Sequence, residues 1–316
     1  MQVGVDHTGS PLSADRALIV RTADDTTYLA WNNRRLRVPD DGTIRALGYG
    51  AAQQHQVGVA WINALPAGPD LKAAAVPGRG QPGPSIGGQP RLVGQLFEVR
   101  GSAKGSQFFV LAQDGLSPLT PTGAALLLAD SGSAPAYPDG RVAPIQLGPA
   151  DVAQAPRASK SLVDPGLPAT PPEAASAASG EAPCLQATVG SESGAVVRIA
   201  LAAVAVEVPG TAAGQATTPS VAGGQADQVS VQPGAGLVIR ALPGPGVATG
   251  TQYLLVDTGV RYPIPKDEVR TLLGYALVDP VPVPTTLLGL IPAGRPLDPE
   301  AAKTGSGVAP QASTAT

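Results

Sequence analysis

The sequence is poor in the residues that build one large core or that carry most catalytic chemistry. Aromatic residues make up 3% of the 316 residues, and there are one cysteine, one methionine and two histidines. Because aromatic side chains dominate the burial of large cores, their scarcity favours several small cores. The histidines, His7 and His55, are too few for a multi-histidine metal site. The polar run 53–56 predicts that His55 is solvated.

Charged residues are also scarce, at 14% of the chain, and the net charge is −3. The main cluster of basic residues is Arg34, Arg35 and Arg37, whereas nucleic-acid binding requires an extended basic surface. Such a short cluster is typical of an exposed strand edge. The charge pattern therefore argues against a nucleic-acid partner.

No segment is apolar for long enough to span a membrane as a helix. The longest nearly apolar run, 195–208, is interrupted by Arg198 and Glu207. It is shorter than the roughly 20 residues that a spanning helix needs, and its alternating apolar residues predict a strand. The residues after Met1 lack the charged and apolar regions of a signal peptide, so we expect a cytosolic protein or a fragment of a longer one.

Short motifs for nucleotide binding and nucleophilic catalysis are incomplete. The stretch 78–83 matches G-x-G-x-x-G, but no strand is predicted before it and prolines surround it. Lys104 and Lys303 lack the glycines of a phosphate-binding loop. In 190–194, Glu192 occupies the position where a nucleophile elbow requires serine. The sequence therefore predicts no catalytic residue, no cofactor site and no metal site.

The 39 glycines and 34 prolines predict a chain rich in turns and linkers. A biased genomic base composition is a second explanation for part of this excess, and the residues do not separate the two. The composition predicts linkers at 69–91 and 151–183, and a tail at 293–316 that is disordered at its end.

Comparison of the chain with itself reveals three related segments, 27–49, 107–130 and 252–275. In each, an apolar strand reaches a turn, a second strand ends at Pro or Thr, and a short amphipathic helix follows. Each segment is therefore predicted to be a ββα unit. A unit of this size cannot bury a stable core alone, so we expect the units to pack against other parts of the chain.

Matching positions in these segments are predicted to have matching structural roles. A Gly-Tyr pair stands at the same offset in two of them, as Gly48-Tyr49 and Gly274-Tyr275. The apolar positions that align between the second and third segments are predicted to be buried: Phe109, Leu127, Leu128, Leu254, Leu272 and Leu273.

The copies also define the domain boundaries. We expect repeat units at 12–68, 92–150 and 246–292. Between the last two, 184–245 contains several β-branched alternating runs, which predict a central sheet. The predicted fold class is therefore α+β and β-rich, an elongated body of small ββα repeats around a central β-sheet domain.

The single cysteine, Cys184, permits two interpretations. A lone thiol in a secreted chain suggests a disulfide partner outside the chain. A buried and inert thiol is the alternative, and the residues alone leave both open.

Several segments together resemble the EccB component of the actinobacterial type VII (ESX) secretion system. The strongest matches are 253–265, continuing through Leu273-Gly274-Tyr275, and the proline-rich block 281–299. The resemblance covers about residues 12–300. Further matching segments are 15–20, 28–31, 62–68, 107–111 and 182–185.

This resemblance implies a cytoplasmic N-terminus, one membrane helix and a large periplasmic part with four repeats around a central β-rich domain. The membrane helix and the first repeat would then precede Met1, and Cys184 would form a disulfide with an upstream cysteine. The implied function is a structural component of the oligomeric secretion membrane complex. The implied partners are its other membrane subunits, including the P-loop motor subunit, with the associated protease and peptidoglycan as further candidates.

Two other functions stay open at this point. The family has been credited with ATP hydrolysis, although no Walker A motif is present in this sequence. The repeats of the family resemble a cell-wall-binding phage lysin subunit, which suggests a peptidoglycan-binding anchor.

Overall fold

The computed structural model describes residues 1–4, 9–102, 105–190, 194–203, 225–226, 229–242 and 250–303. In this part of the chain the fold is mixed α/β and rich in strands arranged in several small sheets, which confirms the predicted class. The chain forms two compact units. Unit 1 comprises Met1–Ser10, Gly58–Ala64 and Cys184–Thr316, and unit 2 comprises Pro11–Val57 and Leu65–Pro183.

The elements are numbered in chain order. The strands are β1 (Gln2–Val3), β2 (Ser10–Pro11), β3 (Arg16–Arg21), β4 (Thr27–Trp31), β5 (Arg34–Val38), β6 (Gln54–Gln56), β7 (Pro82–Ile86), β8 (Gln89–Leu92), β9 (Leu96–Ser102), β10 (Gly105–Ala112), β11 (Gly115–Leu119), β12 (Ile145–Gln146), β13 (Glu173–Ala174), β14 (Glu181–Gly190), β15 (Gly194–Ala203), β16 (Ser230–Val231), β17 (Leu237–Leu242), β18 (Gln252–Leu255), β19 (Arg261–Ile264) and β20 (Val281–Pro284). The helices are α1 (Asp41–Ala46), α2 (Val59–Asn63), α3 (Pro121–Ala129), α4 (Pro149–Gln154), α5 (Asp267–Leu272), α6 (Thr285–Leu288) and α7 (Pro299–Lys303), and Ser131–Ala136 forms a 3₁₀ turn.

One sheet topology occurs three times. Three consecutive strands pair antiparallel, a helix follows the third strand, and a fourth strand then pairs in parallel with the first. Unit 2 contains two such sheets, in the orders β5-β4-β3-β6 and β11-β10-β9-β12. Unit 1 contains the third, in the order β19-β18-β17-β20. The three ββα segments found in the sequence are the middle part of this larger arrangement.

The turns between the second and third strands depend on residues that tolerate positive φ. Asn32 and Asn33 have φ of 46° and 58° and connect β4 to β5, as a tight hairpin turn of the mirror-image type requires. In the third copy Gly259 has φ of 75°, and its amide donates a hydrogen bond of 3.0 Å to the carbonyl of Val256. Local turn chemistry therefore fixes the strand register in these hairpins.

The two repeats of unit 2 pack together through their helices. Helix α1 packs against α3, and Leu126 of α3 lies in one buried cluster with Ile44, Leu47 and Tyr49 from α1 and its C-terminal end. Behind this layer, each sheet buries its own apolar face, which contains Leu29 in the first repeat and Val110 in the second. Neither repeat needs a large core, in agreement with the low aromatic content.

The linkers that composition predicts are ordered where the structure describes them. Residues 69–91 contain β7 and most of β8, which form a hairpin around Gly87 and Gly88 with φ of 59° and 72°. Ile86 in this hairpin is fully buried. Glycine here supplies turn geometry rather than flexibility.

The structure also differs from the prediction in the second linker, 151–183, and in the central segment, 184–245. The first includes β13, which pairs in parallel with β3. In the second, β14 and β15 form a sheet with β2, whereas β17 is the first strand of the third repeat. The predicted start of the third repeat is too late because the aligned ββα segment begins at β18 and leaves out β17, the first strand of the same sheet.

The predicted burial of the aligned apolar residues is correct for some positions and wrong for others. Leu127, Leu254 and Phe109 are 2%, 8% and 9% exposed, and Leu128 is half-buried. In contrast, Leu272 is 74% exposed and Leu273 is 42% exposed, which contradicts the prediction for both. The buried position on α5 is occupied by Val269, and the two leucines of the last turn therefore face outward.

This difference predicts unequal effects of the same substitution at aligned positions. Leu127→Ala should lower the free energy of unfolding by about 2–5 kcal/mol, because it leaves a cavity in the core of unit 2. Leu272→Ala should change it by less than about 0.5 kcal/mol, because the side chain is exposed. Urea denaturation followed by circular dichroism measures both. Equal losses for the two variants would contradict the burial that the structure assigns.

Candidate functional site

Each repeat is closed by a short segment that pairs with its third strand. In the first repeat, the amide of Arg35 on β5 donates to the carbonyl of Pro66 at 3.0 Å. The carbonyl of Arg35 accepts from the amide of Gly68 at 2.8 Å. This is a parallel bridge between Arg35 and Ala67.

The second repeat repeats this pair of hydrogen bonds. The amide of Leu116 on β11 donates to the carbonyl of Pro156 at 2.8 Å, and the carbonyl of Leu116 accepts from the amide of Ala158 at 3.0 Å. Gly115, the neighbouring residue, has φ of 150°, and a Cβ atom there would lie 2.3 Å from the Pro156 carbonyl oxygen. Glycine is therefore required where the closing segment approaches the strand.

The third repeat contains the same closure. The amide of Arg261 on β19 donates to the carbonyl of Pro292 at 2.9 Å, and its carbonyl accepts from the amide of Gly294 at 2.8 Å. In all three cases the acceptor carbonyl belongs to proline, whose missing N–H is not needed in this bridge. We call 66–68, 156–158 and 292–294 the closing segments.

The match continues beyond two of the closing segments. The amide of Leu71 donates to the carbonyl of Arg37 at 2.8 Å, and the amide of Leu297 donates to the carbonyl of Pro263 at 2.9 Å. Both leucines lie three residues after the glycine of the closing segment. Leu71 is fully buried, and Leu297 is packed against the core of its own repeat. Sequence reasoning missed these segments, although Pro66-Ala67-Gly68 and Pro292-Ala293-Gly294 carry the signal.

The two Gly-Tyr pairs end helices α1 and α5 in the same way. Gly48 and Gly274 have φ of 86° and 84°, a conformation that other residues rarely adopt. The tyrosine amide then donates back to the helix, from Tyr49 to the carbonyl of Ile44 and from Tyr275 to that of Arg270, both at 2.9 Å. This is the Schellman pattern of helix termination, and it explains why the pair occurs at the same offset.

The two tyrosine side chains have different surroundings. Tyr49 is 6% exposed, and its hydroxyl donates to the carbonyl of Pro172 at 2.8 Å. Burial raises the pKa of Tyr49 far above its ordinary value. Tyr275 is half-buried and packs against the cluster of Val238, Leu254 and Val269. Tyr49 thereby holds the segment before β13 against the first repeat.

The stretch that matches a dinucleotide motif has a structural role. Arg79 forms an ion pair with Asp130 at 2.5 Å and donates to the carbonyl of Ala74 at 3.1 Å. The amide of Gly80 donates to the carbonyl of Val93 at 2.8 Å. The stretch then leads into β7, whereas a dinucleotide site requires a helix at this point. Its geometry therefore gives no cradle of the dinucleotide-binding type.

Glu98 on β9 is a buried carboxylate at the centre of a hydrogen-bond network. It is 8% exposed and accepts from the hydroxyl of Ser106 and the amide of Gln146, both at 2.6 Å, and from Nε of Arg100 at 3.1 Å. The hydrogen bond from Ser106 is the main cause that holds the pKa of Glu98 below its ordinary value. Burial raises this pKa, but Gln146 and Arg100 lower it further, so the net shift is downward. The network joins β9, β10 and β12 of the second repeat.

The histidines provide no metal site in the described structure. His55 is 8% exposed on β6, opposite Val20 of β3, so the prediction that it is solvated is wrong. Alternation along β6 buries its middle residue while the glutamines on either side face outward. His7 lies outside the described residues. Within the described part of the chain, no cluster of three or more metal-ligating side chains occurs.

Two further features concern the cysteine and the helices of the described residues. Cys184 is half-buried on β14 as a free thiol, and burial raises its pKa above the ordinary value. Across the described residues, no helix is long and apolar enough to cross a membrane.

The geometry defines a protein of repeated small α/β units, each closed by its own segment. A family model described as "Type VII secretion system ESX-1, transport TM domain B" matches residues 1–311. The chain therefore belongs to the EccB family of type VII secretion systems, in agreement with the resemblance found in the sequence.

The chain is similar to two curated relatives. The "ESX-3 secretion system ATPase EccB3" of Mycolicibacterium smegmatis is 28% identical over 93% of this chain and 58% of that protein. The "ESX-2 secretion system ATPase EccB2" of Mycobacterium tuberculosis is 33% identical over 34% of this chain and 22% of that protein. The chain thus spans little more than half the length of the first relative.

Solved structures share the fold. A chain in the periplasmic assembly from the ESX-5 inner membrane complex has a TM-score of 0.67 at 24% identity, over 92% of this chain and 70% of that chain. At this identity the likeness shows the fold alone. A chain of the EccB3 dimer from the ESX-3 core complex has a TM-score of 0.66 at 27% identity, over 94% of this chain and 75% of that chain.

The low pKa of Glu98 predicts acid sensitivity. A carboxylate whose pKa is lower in the folded than in the unfolded state stabilises the fold when the pH is above its unfolded pKa, near 4.5. This stabilisation is lost as the pH falls through the folded pKa. Glu98→Gln should therefore be less stable than the natural chain at pH 7. Its urea midpoint should also fall less between about pH 5 and pH 3.

The exposed Glu173 on β13 provides the matched control. Glu173→Gln should keep the pH dependence of the natural chain, because its side chain is exposed. If Glu98→Gln retained the full acid sensitivity, the proposed role of the Glu98 network would be wrong.

Proposed function

We propose that this chain is a periplasmic structural component of a type VII protein secretion membrane complex, where it supports assembly and export across the envelope. The observation that carries the proposal is the fold of three closed repeats. The overall fold of the chain is similar, at a TM-score of 0.67, to that of a chain of the ESX-5 periplasmic assembly. Small sheets closed by their own backbone bonds are suited to presenting surfaces to other subunits, since each repeat keeps its shape with a small core.

The proposal extends to location and partners. We place the chain outside the cytoplasm, as part of a longer protein with a single membrane helix. Its partners would be the other membrane subunits of the complex, including the P-loop motor subunit, in an oligomeric assembly. The associated protease and peptidoglycan are further candidates that chemical crosslinking in intact cells would identify.

ATP hydrolysis is the second candidate, and the names of the relatives favour it. In this chain the G-x-G-x-x-G stretch enters a β-hairpin, and Arg79 within it is paired with Asp130. We therefore favour the structural role. If the chain hydrolysed ATP, this activity should persist through purification and be lost on a point substitution such as Arg79→Ala. That result would replace the structural role by ATP hydrolysis as the proposed function.

The structural role is tested by co-purification from the native organism. The natural full-length protein with an affinity tag should recover the other subunits of a type VII membrane complex after solubilisation in mild detergent, as identified by mass spectrometry. Leu255→Asp, which places a charge at a fully buried position of the third repeat, should lose them, and Ala46→Asp at an exposed position should retain them. A complex that assembles with the same subunits when the whole protein is deleted would contradict the proposal.

A disulfide at Cys184 is part of the same proposal. The periplasm is oxidising, and the half-buried thiol on β14 would pair with a cysteine upstream in the full-length protein. Thiol counting on non-reduced full-length protein should find Cys184 unreactive until reductant is added, with Cys184→Ser as the control. A reactive thiol at Cys184 before reduction would leave only the inert-thiol interpretation.

A further inference from the structure

The second repeat contains a cleft of about 620 Å³. It is lined by Arg91 of β8, by Gln95 just before β9 and by residues within 137–145. All of these residues belong to unit 2. The volume lies within the roughly 300–1,000 Å³ that is typical of small-molecule sites. We call this space the Arg91 cleft.

Hydrogen bonds hold the walls of the Arg91 cleft in place. The side-chain amide of Gln95 donates to the carbonyl of Ala136 at 3.1 Å, and the backbone amide of Leu96 donates to the hydroxyl of Tyr137 at 2.8 Å. The amide of Gly140 donates to the carbonyl of Tyr137 at 2.8 Å and closes a turn. The start of the segment 137–145 is therefore fixed to the residues before β9, and a ligand would not have to order this wall.

Three charged side chains in the lining lack a charged partner. Arg91, Asp139 and Arg141 line the cleft, and none of them forms an ion pair with another described residue. The guanidinium carbon of Arg91 lies 5.7 Å from the centre of the Phe97 ring, which is close enough for a cation–π contact. Nε of Arg91 is buried without a hydrogen-bond partner among the described residues. Such a donor favours a ligand that can accept from it.

The other side chains of the lining suit a small organic ligand. The oxygen of Tyr137 accepts from Leu96, which leaves the O–H of the tyrosine able to donate. The remaining lining side chains are apolar, from Pro138, Ala143, Pro144 and Ile145. Apolar walls with a few polar groups are the usual composition of a small-molecule site.

The charges indicate the class of ligand. A guanidinium group binds a planar carboxylate or a phosphate through paired hydrogen bonds. Asp139 in the same lining would repel a doubly charged phosphate and attract an ammonium group. A ligand that carries one carboxylate and one ammonium group therefore matches the Arg91 cleft better than a simple anion does.

We propose that the Arg91 cleft binds a short peptide of about two or three small residues with both ends free, a ligand of the size that such a volume accommodates. Its carboxylate would bind Arg91 and Arg141, and its ammonium group would bind Asp139. Its side chains would contact the apolar part of the lining. The proposal does not depend on the structural role proposed above, because the site lies within one repeat.

Titration of the ¹⁵N-labelled chain with trialanine, followed by NMR, tests the proposal. The amide signals of Gln95 and Ile145 should shift with a dissociation constant on the order of 0.1 to 1 mM, and those of Val238 and Leu254 in the third repeat should not. Trialanine amide lacks the carboxylate and N-acetyl-trialanine lacks the ammonium group. Each should bind about tenfold more weakly, because each loses a charged hydrogen bond. Inorganic phosphate should also bind more weakly than trialanine.

Two variants assign the charges of the ligand to residues. Arg141→Gln should remove most of the difference between trialanine and its amide, and Asp139→Asn should remove most of the difference between trialanine and its N-acetyl form. Both side chains are exposed, so both variants should fold, whereas Arg91 packs on Phe97. Arg157→Gln is the matched control, because Arg157 is an exposed arginine of the same repeat outside the cleft. It should bind all three peptides like the natural chain.

Three results would overturn the proposal. The first is no shift at Gln95 and Ile145 up to about 20 mM trialanine, well above the expected constant. The second is equal binding of trialanine and its amide, which would exclude recognition of the carboxylate. The third is phosphate binding as tight as that of trialanine, which would make the cleft a general anion site.

Discussion

The repeats of this protein depend on one backbone interaction, the parallel bridge between the third strand and the closing segment. Without it, each sheet would end at β5, β11 or β19 with unpaired groups in the middle of an edge strand, where proteins are prone to unwanted pairing. The bridge satisfies the amide and carbonyl of one residue in each strand, Arg35, Leu116 or Arg261. The bridge thereby fixes each closing segment, which is distant in sequence from the third strand, to the sheet of its own repeat.

The bridge also explains how a chain with so few aromatic residues can fold. Each closing segment anchors the residues beyond it, as the fully buried Leu71 shows for the first repeat. In the second repeat, Leu162 follows the closing segment, and its amide donates to the hydroxyl of Ser117 at 3.2 Å. Proline and glycine residues that composition assigns to linkers thus extend the small cores.

Much of the fold could be predicted from the sequence where the cause is local. Asn32-Asn33 predicts a hairpin turn because both residues tolerate positive φ, and Gly48-Tyr49 marks a helix end because the Schellman pattern involves six consecutive residues. The repeated Pro-Ala-Gly of two closing segments is visible in the sequence, but the strand to which each closing segment bonds could not be predicted in this way. Arg35 and Gly68 are far apart in sequence, and nothing in either residue identifies the other as its hydrogen-bond partner.

Burial was harder to predict than the order of the elements. Alignment treats Leu47 and Leu273 as equivalent, and their backbones are equivalent. Their exposure differs because it depends on a neighbouring helix that only the first has. The same reasoning applies to His55, whose polar neighbours indicate solvent exposure although its strand lies beside β3. The resemblance to EccB could be recognised from short segments because each of these contains part of a strand, a turn or a closing segment.

The central claim is that every repeat is closed by the same pair of backbone hydrogen bonds. Native-state hydrogen exchange of the amides of Arg35, Gly68, Arg261 and Gly294, measured by NMR, tests it most directly. Each amide should exchange as slowly as those of the neighbouring strands β4 and β18, because all four are donors in the bridges. Exchange of Gly68 and Gly294 at the rate of an unstructured peptide, with β4 and β18 still protected, would contradict the account.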